Sequence, residues 1–238
     1  MTDRVIAALY VQEDGVYYGL EDVDPWPEER DARGYQGPYP VIAHPPCARW
    51  GRYWSGGPSA KVRRELGDDG GCFEAALRDV RRWGGVIEHP ADSHAWGVFG
   101  INKPPRSGKW IAADFFGGWT CCVEQGQYGH PSRKATWLYA CHTDLPELRW
   151  GPSGDRMRLD EGFRTKEAAQ AARGAPDWRP VQRLSRNQRI RTPIEFRDML
   201  LDLARSVYSV NIGERYIVDE ADLPAAKKES EHVGEQED

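Results

Sequence analysis

Residues 72 to 90 read CFEAALRDVRRWGGVIEHP, and their order decides the fold class. Phe73, Ala76, Leu77 and Val80 recur at helical spacing, and Gly84-Gly85 ends the run. Val86-Ile87 then begins a strand that stops at Glu88-His89-Pro90. Upstream, Val41-Ile42-Ala43 is a short apolar run of buried-strand type that ends at His44-Pro45-Pro46-Cys47, and Val5 to Val11 is another. A strand, a helix and a strand in succession make a parallel pair joined by a crossover. The expected fold is α/β, a mostly parallel sheet with flanking helices.

Working outward, Asp22 to Tyr39 is rich in Pro, Asp and Gly and reads as loop. Trp119 to Glu124 and Thr136 to Ala140 are β-rich and flank the loop Gln125 to Lys134, so a hairpin at one edge of the sheet is expected. One short helix is expected near Lys166 to Ala172. Thr192-Pro193-Ile194-Glu195 has the form of a capping box with Pro at the first helical position, and Phe196, Met199, Leu200, Leu203, Ala204 and Val207 continue as a helical stripe. The chain thus divides into a core of residues 1–141, a loop-rich excursion of 142–182, a helical segment of 183–218 that completes the core, and a disordered acidic tail of 219–238.

Composition narrows the function classes. The 238 residues are 39% hydrophobic with 10 Trp, 10 Tyr and 6 Phe, enough to build a folded core. With 25 Gly and 17 Pro, an all-helical bundle is disfavoured. No window approaches the run of about 18 apolar residues that a membrane span needs, and the N-terminus lacks a signal-peptide pattern, so the chain reads as cytoplasmic with no membrane partner. Its 5 cysteines contain no CxxC pair and its histidines lack zinc-site spacing, so reduced thiols and no metal are expected. The net charge of -5 conceals an acidic N-terminus and tail around a basic middle, with clusters at Arg49 and Arg52, Lys61 to Arg64, Arg133 and Lys134, and Arg183 to Arg191. A basic middle interleaved with Trp and Tyr permits nucleic-acid binding.

Three short motifs carry the chemistry: His44-Pro45-Pro46-Cys47, Val86-Ile87-Glu88-His89-Pro90, and Gln127-Tyr128-Gly129-His130-Pro131-Ser132-Arg133-Lys134. In that order they resemble the cytosine-5 DNA methyltransferase family, in a short, degenerate form like its phage-encoded relatives. The family's Pro-Pro-Cys loop carries a nucleophile, its Glu-Asn-Val or Glu-Asn-Pro strand end an acid, and its Tyr-Gly-x-Pro-x-x-Arg segment a contact to the base. The resemblance implies a Rossmann-like methyltransferase fold acting on DNA in the host cytoplasm, with S-adenosylmethionine as donor. It implies that Cys47 adds to C6 of cytosine, that Glu88 holds N3, and that Arg133 and Lys134 grip the base, with Pro46, Arg49, Gln127, Tyr128 and Gly129 around it. The family's cofactor loop overlays Ala8 to Gly15, which implies contacts from Tyr10 and Gly15, with Asp22 or Asp24 meeting a ribose hydroxyl; Gln12 and Asp14 stand where glycines are expected.

The residue types suit that chemistry. Ring addition needs a soft nucleophile, and Arg49 and Arg52 are expected to favour a Cys47 thiolate. A carboxyl in a partly dry site has a raised pKa and can give a proton to the ring nitrogen, so Glu88 is expected to act as an acid. The base must be flipped out of a duplex or presented on a single strand. The family's target-recognition domain is reduced here to residues 142–182, which leaves sequence specificity short, absent or supplied by a protein partner. Two other functions fit the same residues: a non-catalytic nucleic-acid-binding protein, and an enzyme acting on free deoxycytidylate.

Overall fold

Side chains alternate between the two faces of the central strands, and each face is covered by its own helix. The computed structural model describes residues 5–56, 61–62, 64–154, 157, 166–176 and 184–207. The strands are β1 (Ile6–Leu9), β2 (Val23–Trp26), β3 (Val41–Ala43), β4 (Gly85–Pro90), β5 (Ile111–Ala112), β6 (Trp119–Glu124) and β7 (Ala135–Cys141). The α-helices are α1 (Cys72–Trp83), α2 (His94–Val98), α3 (Lys166–Arg173), α4 (Arg186–Ile190) and α5 (Ile194–Ser206). On one face Phe73, Ala76, Leu77 and Val80 of α1 pack against Ala7, Leu9, Val41, Ala43 and Ile87. On the other, Phe196, Leu200, Leu203 and Ala204 of α5 pack against Ile6, Ala8, Ile42 and Val86. The result is a helix layer on each side of one sheet.

That sheet has seven strands in the order β2-β1-β3-β4-β7-β6-β5. It is mixed, which corrects the expectation of a mostly parallel sheet: β2, β1, β3 and β4 pair in parallel, whereas β4–β7, β7–β6 and β6–β5 pair antiparallel. The reason is connection length. A parallel return needs a crossover of about a dozen residues or more. Residues 125–134 are too few to supply one, so β6 and β7 fold back as the expected hairpin; it lies inside the sheet and not at its edge, with β7 against β4 and β5 outside β6.

Two local readings are also corrected. The stretch read as loop from Asp22 to Tyr39 contains β2, whose Pro25 cannot donate to a ladder and is tolerated because β2 lies at the sheet edge. The Thr192–Glu195 capping box does not form: Pro193 occupies the N-cap position of α5 without a side-chain cap, and the Glu195 carboxylate accepts from Arg149 Nη1 at 2.8 Å. A capping box instead opens α4, where Ser185 Oγ accepts from the Gln188 amide at 3.3 Å and Gln188 Oε1 accepts from Ser185 N at 2.9 Å. The span expected for α1 matches the structure, and α3 lies where a short helix is expected. The tail 219–238, residues 208–218 and much of the excursion lie outside the described residues.

Gly85 is where the two halves of the crossover meet most closely. Its φ is 122°, and a Cβ there would overlap the Val41 carbonyl and sit 2.7 Å from Val41 N, both backbone atoms of a paired strand. Gly71, at the N-cap of α1 with φ 81°, has nothing within 4 Å of the same added atom. Gly85→Ala is therefore expected to cost more than about 3 kcal/mol, and Gly71→Ala about 1 kcal/mol. Equilibrium urea unfolding of the two variants checks the difference; equal losses would contradict the packing described.

Candidate functional site

β2 and β3 lie on opposite sides of β1, so the connections reverse direction there. In open α/β sheets such a reversal leaves a crevice outside the carboxyl ends of the strands, where ligands bind. Here the loop after β1 and the loop after β3 meet at that end of the sheet. Tyr17 Oη and His44 Nε2 join them at 2.8 Å. On its other side the His44 ring reaches β4, with Nδ1 2.9 Å from Glu88 Oε2. The second Glu88 oxygen accepts from Gln125 Nε2 at 3.0 Å, and the same nitrogen lies 3.0 Å from Thr136 Oγ1. Three strand ends and the hairpin loop are thus joined through side chains, and His44 and Glu88 are only 14% and 12% exposed.

Ionisation in this cluster differs from the expectation. Burial alone would push the Glu88 carboxyl upward, but the His44 hydrogen bond and charge, with Lys134 and His89, outweigh it and hold Glu88 down to about 2. Glu88 in the resting site is therefore a carboxylate, not the raised acid expected of it. Cys47 is an exposed residue, so desolvation of its thiol is only partial; the thiol is held above its ordinary value by that desolvation and by the Glu88 charge, with Lys134 and its own amide acting the other way. The cation facing it is Lys134. Arg49 donates from Nη1 to the Trp54 carbonyl at 3.1 Å, and Arg52 sits 5.4 Å from the centre of the Tyr53 ring. The expectation that these two arginines favour the thiolate is corrected: they serve their own loop.

The structure brings Cys47, Glu88 and Lys134 together and separates others from them. Desolvation pulls the Lys134 ammonium down while Glu88 and Cys47 pull it up, and its Nζ donates to the Arg191 carbonyl at 3.3 Å. Arg133, its neighbour, points elsewhere, with Nε on the Gly154 carbonyl at 3.1 Å. Pro46 is exposed beside Cys47. Tyr128 is core: its ring packs edge-on against Phe196 at 5.5 Å and its hydroxyl accepts from Arg149 N at 3.1 Å. Gln127 reaches the Pro152 carbonyl at 3.2 Å, and Gly129 serves the turn with φ 90°. A cleft of about 350 Å³ opens between this loop and the α4–α5 linker, lined by His130, Pro131, Gln188 and Arg191 among others. Of the basic clusters, Arg183 and Arg63 lie outside the described residues.

The residues assigned to S-adenosylmethionine do not form a cradle. Gly15 closes a turn on Gln12, whose carbonyl lies 2.7 Å from where a Gly15 Cβ would stand, so its bareness serves the loop itself. Asp22 lies at the amino end of β2, away from the crevice, and pairs with Arg205 at 2.8 Å. Asp24 is occupied by Arg30 at 2.5 Å and by Trp26 Nε1 at 2.8 Å. Tyr10 stands at the carboxyl end of β1 in a left-handed conformation with φ 58°, its buried hydroxyl without a hydrogen-bond partner.

Sequence reasoning missed Tyr17 and Gln125, and gave His44 no role beyond opening the first motif. A signal existed for His44, which directly precedes the Pro-Pro-Cys turn, and for Gln125, the first residue after a predicted strand; none marked Tyr17. Comparison with protein-family models, with curated proteins and with solved structures finds no match to this chain.

His89 lies on the opposite face from Glu88, between Phe73 at 5.2 Å and Trp96 at 6.2 Å, with Nδ1 2.8 Å from Ser93 Oγ. It is fully buried, and desolvation lowers it to about 4 against the raising influence of Glu88, Asp69 and the Pro45 and Pro46 carbonyls. The unfolded chain then takes up a proton near pH 6.5 and the folded chain only near 4, so stability falls as the pH drops through that interval. Between pH 7 and 4.5 the loss should be roughly 2 to 3 kcal/mol. Urea midpoints at the two pH values should differ by that much more in the native chain than in His89→Phe.

Proposed function

We propose that this chain is an enzyme that modifies cytosine at C5 through a covalent adduct on Cys47, with DNA as substrate. The observation that carries the reading is the meeting of Cys47, Glu88 and Lys134, far apart in sequence, within reach of one another's charge at the crevice. A thiol, a buried carboxylate and a partly desolvated ammonium are the groups that ring addition requires. Cys47 gives up its thiol proton as its sulfur bonds to C6; the C5=C6 electron pair shifts to C4–C5, and the C4=N3 pair takes up a proton at N3. Glu88 accepts a hydrogen bond from the exocyclic amine and relays the proton from the thiol to N3. Lys134 meets the ring carbonyl as negative charge develops there. Lys134 thus takes the part that the family resemblance gave jointly to Arg133.

Charge coupling gives the site an order of events. The Glu88 charge opposes thiolate formation at Cys47, and that opposition is relieved as Glu88 takes up the thiol proton that it passes to N3 of a bound base. The nucleophile is then activated by the substrate it attacks. The geometry gives S-adenosylmethionine little support, so the group that C5 accepts, methyl or another one-carbon unit, is a matter for titration. A second reading, a non-catalytic nucleic-acid-binding protein, is favoured by the raised thiol.

Co-expression with plasmid DNA, followed by hydrolysis to nucleosides and mass analysis, separates the two. A modified deoxycytidine that disappears in Cys47→Ala is expected, and its mass identifies the transferred group. Unmodified DNA from soluble native protein, or the same modification from Cys47→Ala, would overturn the enzyme reading. Calorimetric titration with S-adenosylmethionine decides the donor separately.

A further inference from the structure

Glu88 accepts from two side chains, but only one of them can change its charge. A carboxylate has no hydrogen to give, so the 2.9 Å contact requires the hydrogen to sit on His44 Nδ1. This holds whether the ring is neutral or charged. At Nε2 the partner is the Tyr17 hydroxyl at 2.8 Å, a group that can both donate and accept. It donates to a neutral ring and accepts from a charged one. Both ring nitrogens of His44 are therefore engaged, and the ring is fixed between Tyr17 and Glu88.

We propose that His44 is the positioning residue of this site, holding the Glu88 carboxylate oriented, and that Tyr17 behind it fixes the His44 ring. The proposal rests on the reading that Glu88 meets the substrate ring. With His44 and Gln125 each fixing one oxygen, the remaining lone pairs are left for a ligand that presents N–H groups. The other charged and titratable groups that face the cluster are accounted for. His89 lies on β4 itself, Cys47 on the loop after β3 and Lys134 before β7. Arg197 and Asp198 of α5 act on Tyr17 with opposite signs. Removing His44 leaves Glu88 with Lys134 and His89 against a full desolvation penalty.

Carboxyl carbon NMR of the free protein tests this, with the Glu88 signal assigned by its absence in Glu88→Gln. In the native chain Glu88 is expected to stay charged through pH 4. In His44→Phe its midpoint should rise by roughly two pH units or more. His44→Asn keeps an N–H donor without a charge, so it should fall between them and guards against a phenylalanine variant that fails to fold. Cytosine modification by His44→Asn should drop about a hundredfold. An unmoved Glu88 midpoint in the folded variants would overturn the proposal. A moved midpoint in a protein that modifies no cytosine would leave His44 its positioning role and overturn only the cytosine reading.

Discussion

The contact between His44 and Glu88 is the constraint around which the rest of the site is arranged. It crosses from the end of β3 to β4 at 2.9 Å, close to the crevice that the reversal of strand order creates. A buried carboxylate without such partners would protonate, because desolvation penalises the charged form. Partnered, it becomes a fixed negative charge that acts on everything nearby. It raises Cys47, holds up Lys134 against desolvation and takes the Gln125 amide, whose nitrogen must face it because a carboxylate only accepts. Side chains from three connecting segments meet at or behind one ion.

The sheet makes that contact possible by mundane means. Val41, Ile42 and Ala43 pair in register with Gly85, Val86 and Ile87, so the residues that follow each triplet emerge side by side. Helix α1 covers one face and α5 the other, which leaves the strand ends as the place where polar side chains gather. His89 shows the alternation at work: one residue beyond Glu88, it faces the α1 side and is neutral, stacked among aromatic rings under the Pro-Pro turn. Neighbours in sequence thus serve opposite faces of the sheet.

Much of this frame is legible in the sequence because it depends on short-range pattern. The helical spacing from Phe73 to Val80, closed by two glycines, fixes α1, and the Pro-terminated strand ends point to Cys47 and Glu88. What is not legible depends on distant partners. Nothing local says that Tyr17 will meet His44, or that Lys134 and not Arg133 will turn inward; adjacent residues on an extended chain point apart, and tertiary packing chooses between them. The ionisation of Glu88 was misjudged for the same reason, since burial could be foreseen and the histidine beside it could not. The antiparallel β6–β7 pair follows from the shortness of the hairpin loop, whereas the β4–β7 pairing joins strands distant in sequence that no local pattern marks. The Thr192 capping box does not form because α5 starts one residue later, with Pro193, which has no side-chain acceptor, at the N-cap, and Glu195 turns to Arg149.

The central claim is that Cys47 adds to C6 of a cytosine held on Glu88, and this can be separated from the question of the donor. Addition makes C5 basic, so in heavy water and with no donor present it should pick up deuterium each time an adduct forms and reverses. Incubating cytosine-containing DNA with the full chain in heavy water, then measuring deuterium at C5 by nucleoside mass spectrometry, reads that step alone. The account predicts deuterium that accumulates with time and is lost in Cys47→Ala. Absence of exchange with the folded native protein, or equal exchange with the alanine variant, would contradict it.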